Sequence, residues 1–192
     1  MNLSYKNIAL ISVFGCLWGV LEMTLGSMLH LFNIPFRGLI ICSIVLLFIL
    51  PSAKLINKRG AIIYMALVAC IIKIFSIGGF KISPVIAILF EGLVLEFVFL
   101  FLKYNIVGFI IGAVIFCLMP IFHQVFITSF LFGINPINFA TELLIQLKKI
   151  NLGFNISIFF IVIFYILVHL ILGIISGILS WKIAKNITLR LE

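Results

Sequence analysis

Six long apolar runs, separated by short polar connections, occupy most of the chain. A helix needs about 20 apolar residues to cross the hydrocarbon core of a bilayer. On that scale the runs predict spans over about Ile8–Phe32, Gly38–Ala53, Ala61–Ile77, Pro84–Leu102, Ile106–Phe132 and Phe154–Ile183, the second being short and ending near Pro51. The first run is too long for the apolar part of a signal peptide, and no small-residue cleavage site leads from it into polar sequence, so it reads as a span. The expected fold is an all-α integral membrane bundle of six transmembrane helices, with residues 1–192 forming one domain.

The connections alternate in charge. Lys6, Lys54, Lys58, Arg59, Lys103, Lys182, Lys185 and Arg190 fall on one side, eight in all, against Arg37, Lys81, Lys148 and Lys149, four, on the other. An excess of Lys and Arg marks the cytoplasmic side, so both termini are expected inside. The long connection between the last two spans differs from the rest. Asn135 and Pro136 read as a helix cap and first turn. After them, Asn138, Thr141, Glu142, Gln146 and Lys149 share one helical face, with Ile137, Ala140, Leu143, Leu144, Leu147 and Ile150 on the other. That pattern predicts an amphipathic helix in the outer interface or over the bundle mouth.

Composition agrees with this picture. The chain is 65% hydrophobic and 9% charged, with mean hydropathy +1.44, more apolar surface than a soluble fold of this size can hide. The short connections leave no room for a soluble catalytic or nucleotide-binding domain. The net charge of +8 sits at the ends of spans, where it meets lipid headgroups, and basic residues are not interleaved with aromatic ones as nucleic-acid binding would require. Cys16, Cys42, Cys70 and Cys117 lie in different runs without CxxC spacing, which argues against disulfides and zinc and for apolar packing.

Ionisable groups inside spans cost several kcal/mol unless paired or hydrated, so each is a functional hypothesis. Counting about 1.5 Å of rise per residue, Glu22 and His30 in span 1, Lys73 in span 3, Glu91 in span 4, and His123 and Gln124 in span 5 fall in the outer half. Glu96 falls near the midplane, and His169 lies deeper and reads as a packed or helix-bonded residue. A polar pocket open to the outside would gather these groups and bind a small polar molecule. Structural pairs such as Lys73 with Glu91 or Glu22 are the alternative. His123 follows Pro120, which loosens the helix locally and exposes carbonyls. Span 1 carries a stripe of small residues, Ser12, Gly15, Cys16, Gly19, Gly26 and Ser27, with Gly15 and Gly19 forming GxxxG. Such a stripe serves close packing within the bundle or docking of a separate membrane subunit.

Motifs for the common chemistries are absent: no HExxH, GxSxG or Walker A sequence occurs, and the chain has no Asp. The three His residues do not share a helix at ligand spacing. No catalytic residue, metal or cofactor is expected, and the chain is not read as an enzyme.

The stretches Gly15–Pro35 (GCLWGVLEMTLGSMLHLFNIP) and Ser83–Glu96 (SPVIAILFEGLVLE), within six spans of this length and orientation, resemble S components of energy-coupling factor (ECF) transporters. These are small, very hydrophobic six-helix proteins that capture vitamins or related micronutrients at the outer face. The resemblance implies a substrate-binding subunit of an ATP-driven importer in the plasma membrane, with a coupling membrane subunit and two ATPase subunits as partners. It implies substrate contacts at Glu22, His30, Lys73, Glu91, Glu96, His123 and Gln124, with residues 32–37 and the amphipathic helix as gates. Many such proteins dock through AxxxA in the first helix. Here Ala9 is followed by Val13, and Gly15-xxx-Gly19 with Ser12-xxx-Cys16 stands as the equivalent close-approach surface. Rival readings are a membrane-embedded enzyme using Glu and His as acid and base, an accessory structural subunit, and a self-sufficient secondary transporter.

Overall fold

A computed structural model describes residues 4–32, 34, 36–76, 82–132 and 158–191. They form six helices: α1 (Tyr5–Leu31), α2 (Arg37–Ile56), α3 (Ala61–Ile74), α4 (Ile82–Leu102), α5 (Ile106–Phe132) and α6 (Ile158–Leu191), with no strand among the described residues. Five of the six are long and apolar enough to cross a membrane, and α3, with 14 residues, is shorter. The chain is a multi-pass helical membrane protein.

The expected spans and the helices coincide closely, and α5 has the predicted bounds. The main difference is in α2, which runs through Pro51 to Ile56 instead of stopping near the proline. Proline removes one intrahelical donor, and neighbouring helices can supply others where lipid cannot. The carbonyl that Pro51 leaves without its helical donor is that of Leu47, and beside it the Leu46 carbonyl receives the Ser180 hydroxyl of α6 at 3.0 Å. The helix ends at Asn57, which adopts a left-handed φ of 46° and whose N–H bonds the Ala53 carbonyl. At the other end of the chain α6 continues past the predicted Ile183 to Leu191. The predicted amphipathic helix after Asn135 lies outside the described residues.

Helix α2 is the centre of the bundle. It packs against α1, α5 and α6 and touches α3, and Leu39, Leu46, Leu50 and Ala53 are wholly buried. The remaining helices follow in the order α1, α3, α4, α5, α6, each packed on the next. Glycine sets the closest of these approaches. A Cβ on Gly15 would lie 2.8 Å from the Met65 carbonyl oxygen, and one on Gly19 would lie 2.7 Å from Ile72 Cβ and 3.0 Å from Ala69 Cα. The GxxxG of α1 is therefore spent within the bundle, against α3. On the far side, Gly173 and Gly177 of α6 do the same against Val114 and Ile110 of α5.

The short α3 poses its own problem. Its 14 residues rise about 21 Å, less than the roughly 30 Å hydrocarbon core, and its first N–H groups have no intrahelical acceptor. Glu96 of α4 supplies one. Its carboxylate accepts from Gly60 N at 2.6 Å and from Ile62 N at 3.1 Å, with the side chain buried. Gly60 at φ 83° turns the chain into this arrangement. A carboxylate at a helix N-terminus is also favoured by the helix dipole. Glu96 is thus a cap lent by one helix to another.

Two substitutions check this packing by the thermal unfolding midpoint of the purified protein in detergent. Gly19→Val should destabilise by about 1–3 kcal/mol through overpacking, whereas Ser12→Val, on the exposed side of α1, should leave the midpoint nearly unchanged. Equal effects would mean that α1 does not meet α3 through Gly19. Glu96→Ala should cost about 1–3 kcal/mol per stranded N–H, and Glu96→Gln, which keeps one acceptor, should cost less.

Candidate functional site

Lys73, in the last turn of α3, projects toward α1. Its Nζ donates to the Glu22 carbonyl oxygen at 2.5 Å and stands 3.6 Å from the Glu22 carboxylate. Lys73 is 7% exposed. Gly26, one turn beyond Glu22, clears the space: a Cβ there would come within 3.3 Å of Glu22 Oε2 and 3.4 Å of Lys73 Nζ. The pair joins α1 to α3 where an unpartnered cation would be costly.

Glu91 of α4 sits deeper among the helices and is 6% exposed. Cys42 of α2 offers its thiol to Oε1 at 3.8 Å, a long and weak bond. The other oxygen, Oε2, is buried and has no hydrogen-bond partner among the described residues. Glu22 and the thiols of Cys42, Cys70 and Cys117 are close enough to feel its charge. Next to Cys42, Ser43 meets Cys117 of α5 at 4.0 Å. Beside Cys117, the Phe116 ring lies 5.9 Å from the indole of Trp18. Trp18 is 1% exposed, and its Nε1 also lacks a partner among the described residues. Trp18 and Glu22 are one helical turn apart on α1.

Of the residues singled out from sequence, the structure gathers Glu22, Lys73 and Glu91. His123 is half-buried on α5, and its Nε2 contacts the Ser83 carbonyl at 3.0 Å and the Ser83 hydroxyl at 3.4 Å, tying α5 to the start of α4. Gln124 follows it, also half-buried. His30 is exposed in the last turn of α1. Glu96 does not join the group, because it is committed to the opposite end of α3. Near that end, burial pushes the Tyr104 phenol above its ordinary range, and the charge of Glu96 adds to the effect. The four small residues proposed as a partner surface divide: Gly15 and Gly19 are buried against α3, while Ser12 and Cys16 are exposed.

Three features were not part of the site as read from sequence. Cys42 reads as apolar packing because nothing in its run marks the helix it faces. Trp18 reads as one more large side chain. The third is an aromatic stack of Phe36, Tyr165 and His169. Phe36, at φ 59°, stacks on Tyr165 with centroids 4.9 Å apart, and Tyr165 lies 4.4 Å from the His169 ring. His169 Nδ1 donates to the Tyr165 carbonyl at 2.8 Å within its own helix, and its buried Nε2 has no partner among the described residues. No group of three metal-ligating side chains occurs among the described residues.

If Lys73 and Glu22 depend on each other, Lys73→Met alone should destabilise by about 3–5 kcal/mol, and Glu22→Gln together with Lys73→Met should recover a large part of the loss. A double variant no more stable than Lys73→Met, judged by thermal unfolding in detergent, would contradict the pairing.

Searches of protein-family models, of curated proteins and of solved structures found no match for this chain.

Proposed function

We propose that this chain is the substrate-capturing membrane subunit of an ATP-driven importer of the ECF type, which binds a small polar micronutrient in the outer half of the helix bundle. The observation that carries the reading is Glu91: a buried carboxylate oxygen with no hydrogen-bond partner among the described residues. A purely structural polar network would be expected to close on itself, since unsatisfied groups in an apolar bundle destabilise it. Among the described residues this one leaves Glu91 Oε2 without a donor.

The orientation follows the distribution of Lys and Arg, with both termini on the cytoplasmic side of the plasma membrane. In that frame Lys73 stands near the outer end of α3 and Glu96 near its inner end. ATP hydrolysis belongs to partner subunits in this reading: a coupling membrane subunit and two ATPases. With Gly15 and Gly19 used internally, the exposed edge of α1 at Ser12 and Cys16 is the part of the small-residue stripe left to meet another membrane subunit. An accessory subunit without a ligand is the second reading, favoured by the closure of Lys73 on Glu22 and opposed by Glu91.

Affinity purification of the tagged protein from its own host's membranes in mild detergent tests the proposal. A second membrane subunit and a pair of ATPases should co-purify in stoichiometric amounts, as identified by mass spectrometry. Recovery of the chain alone, under conditions that hold a known complex of this type together, would overturn it.

A further inference from the structure

We infer that the ligand is a small organic cation that presents N–H donors to Glu91, such as an amine, an amidine or a protonated nitrogen heterocycle. The inference names the ligand class of the site in the proposed function and rests on that placement.

The charges around Glu91 support it. Two carboxylates, Glu22 and Glu91, stand close enough to interact, but the single lysine beside them is committed to Glu22 through both its carbonyl and its carboxylate. Among the described residues no Lys, Arg or His is bonded to Glu91. Its nearest polar neighbour is the Cys42 thiol at 3.8 Å, on the other oxygen. A buried carboxylate favours a charge-assisted bond from a cationic N–H, which is shorter and about twice as strong as a neutral one. An anion would meet the uncompensated carboxylate of Glu91 as repulsion, since Glu22 is already paired with Lys73.

The surroundings narrow the class further. Trp18, buried one turn from Glu22 on α1, has an Nε1–H with no partner among the described residues, which calls for an acceptor. Cys42 and Cys117 are soft, weakly polar neighbours that suit a carbon-bearing ligand better than a hydrated inorganic ion. No set of ligating side chains would hold a metal among the described residues. A molecule with a cationic N–H group at one end and an acceptor at the other would use both open atoms.

The test compares benzamidine, a planar cation with N–H donors, with benzamide, its near-isosteric neutral counterpart, by the ligand-dependent rise in unfolding midpoint of the purified chain in detergent. Benzamidine should bind at least about tenfold more tightly than benzamide, a difference of about 1.4 kcal/mol. Glu91→Gln should abolish that preference, and Trp18→Phe, which keeps the carboxylate, should retain it. If Glu91→Gln does not fold, the comparison of the two compounds on the native chain still decides. Equal stabilisation by both, stabilisation by neither, or a preference that survives in Glu91→Gln would overturn the inference. Because this measurement needs no partner subunit, it can fail while the co-purification succeeds, and the reverse.

Discussion

A charge or hydrogen-bonding group inside this bundle can be satisfied only by the protein itself, and that constraint orders the rest of the structure. Lipid offers no donors or acceptors, so each buried polar atom must find a partner on a neighbouring helix. The chain meets this demand at several points. Glu96 closes the N-terminus of α3, Lys73 closes on Glu22, and Ser180 reaches the backbone of α2 near its internal proline. Each contact joins two helices. Among the described residues Glu91 Oε2, Trp18 Nε1 and His169 Nε2 are left without a partner, and Glu91 carries the proposed ligand site.

Packing and chemistry depend on the same glycines. Gly15 and Gly19 bring α1 against α3, and that approach lets Lys73, at the end of α3, reach Glu22. Gly26 then keeps the space in which the two meet. Larger side chains at these positions would push the helices apart and separate the charges. The central helix α2 brings Cys42 to Glu91 from the other side, with Ser43 turned to Cys117. The site is therefore a product of how four helices converge, since α1, α2, α3 and α4 each contribute one of Glu22, Cys42, Lys73 and Glu91.

Much of the fold is legible in the sequence because lipid imposes a simple rule: long apolar runs become helices. The boundaries of α5 follow directly from that rule, whereas α2 departs from it by running through Pro51 to Ile56. The site is less legible. Depth along a span can be counted from sequence, and it groups Glu22, Lys73 and Glu91 together with His30, His123 and Gln124, but direction around a helix cannot be counted without knowing the neighbours. Glu91 and Glu96 are close in sequence yet face different partners, one a thiol of α2 and the other the start of α3. The GxxxG of α1 shows the same ambiguity: a close-approach surface is visible, but whether it meets α3 or another protein depends on the packing.

The central claim is that Glu91 receives a bound molecule. Native mass spectrometry of the protein purified from its own host's membranes, beside the Glu91→Gln variant prepared identically, addresses it most directly. The account predicts a small nitrogen-bearing cation retained by the native chain and lost from the variant. A native chain with nothing bound under conditions that preserve its fold, or a ligand held equally by both proteins, would contradict it.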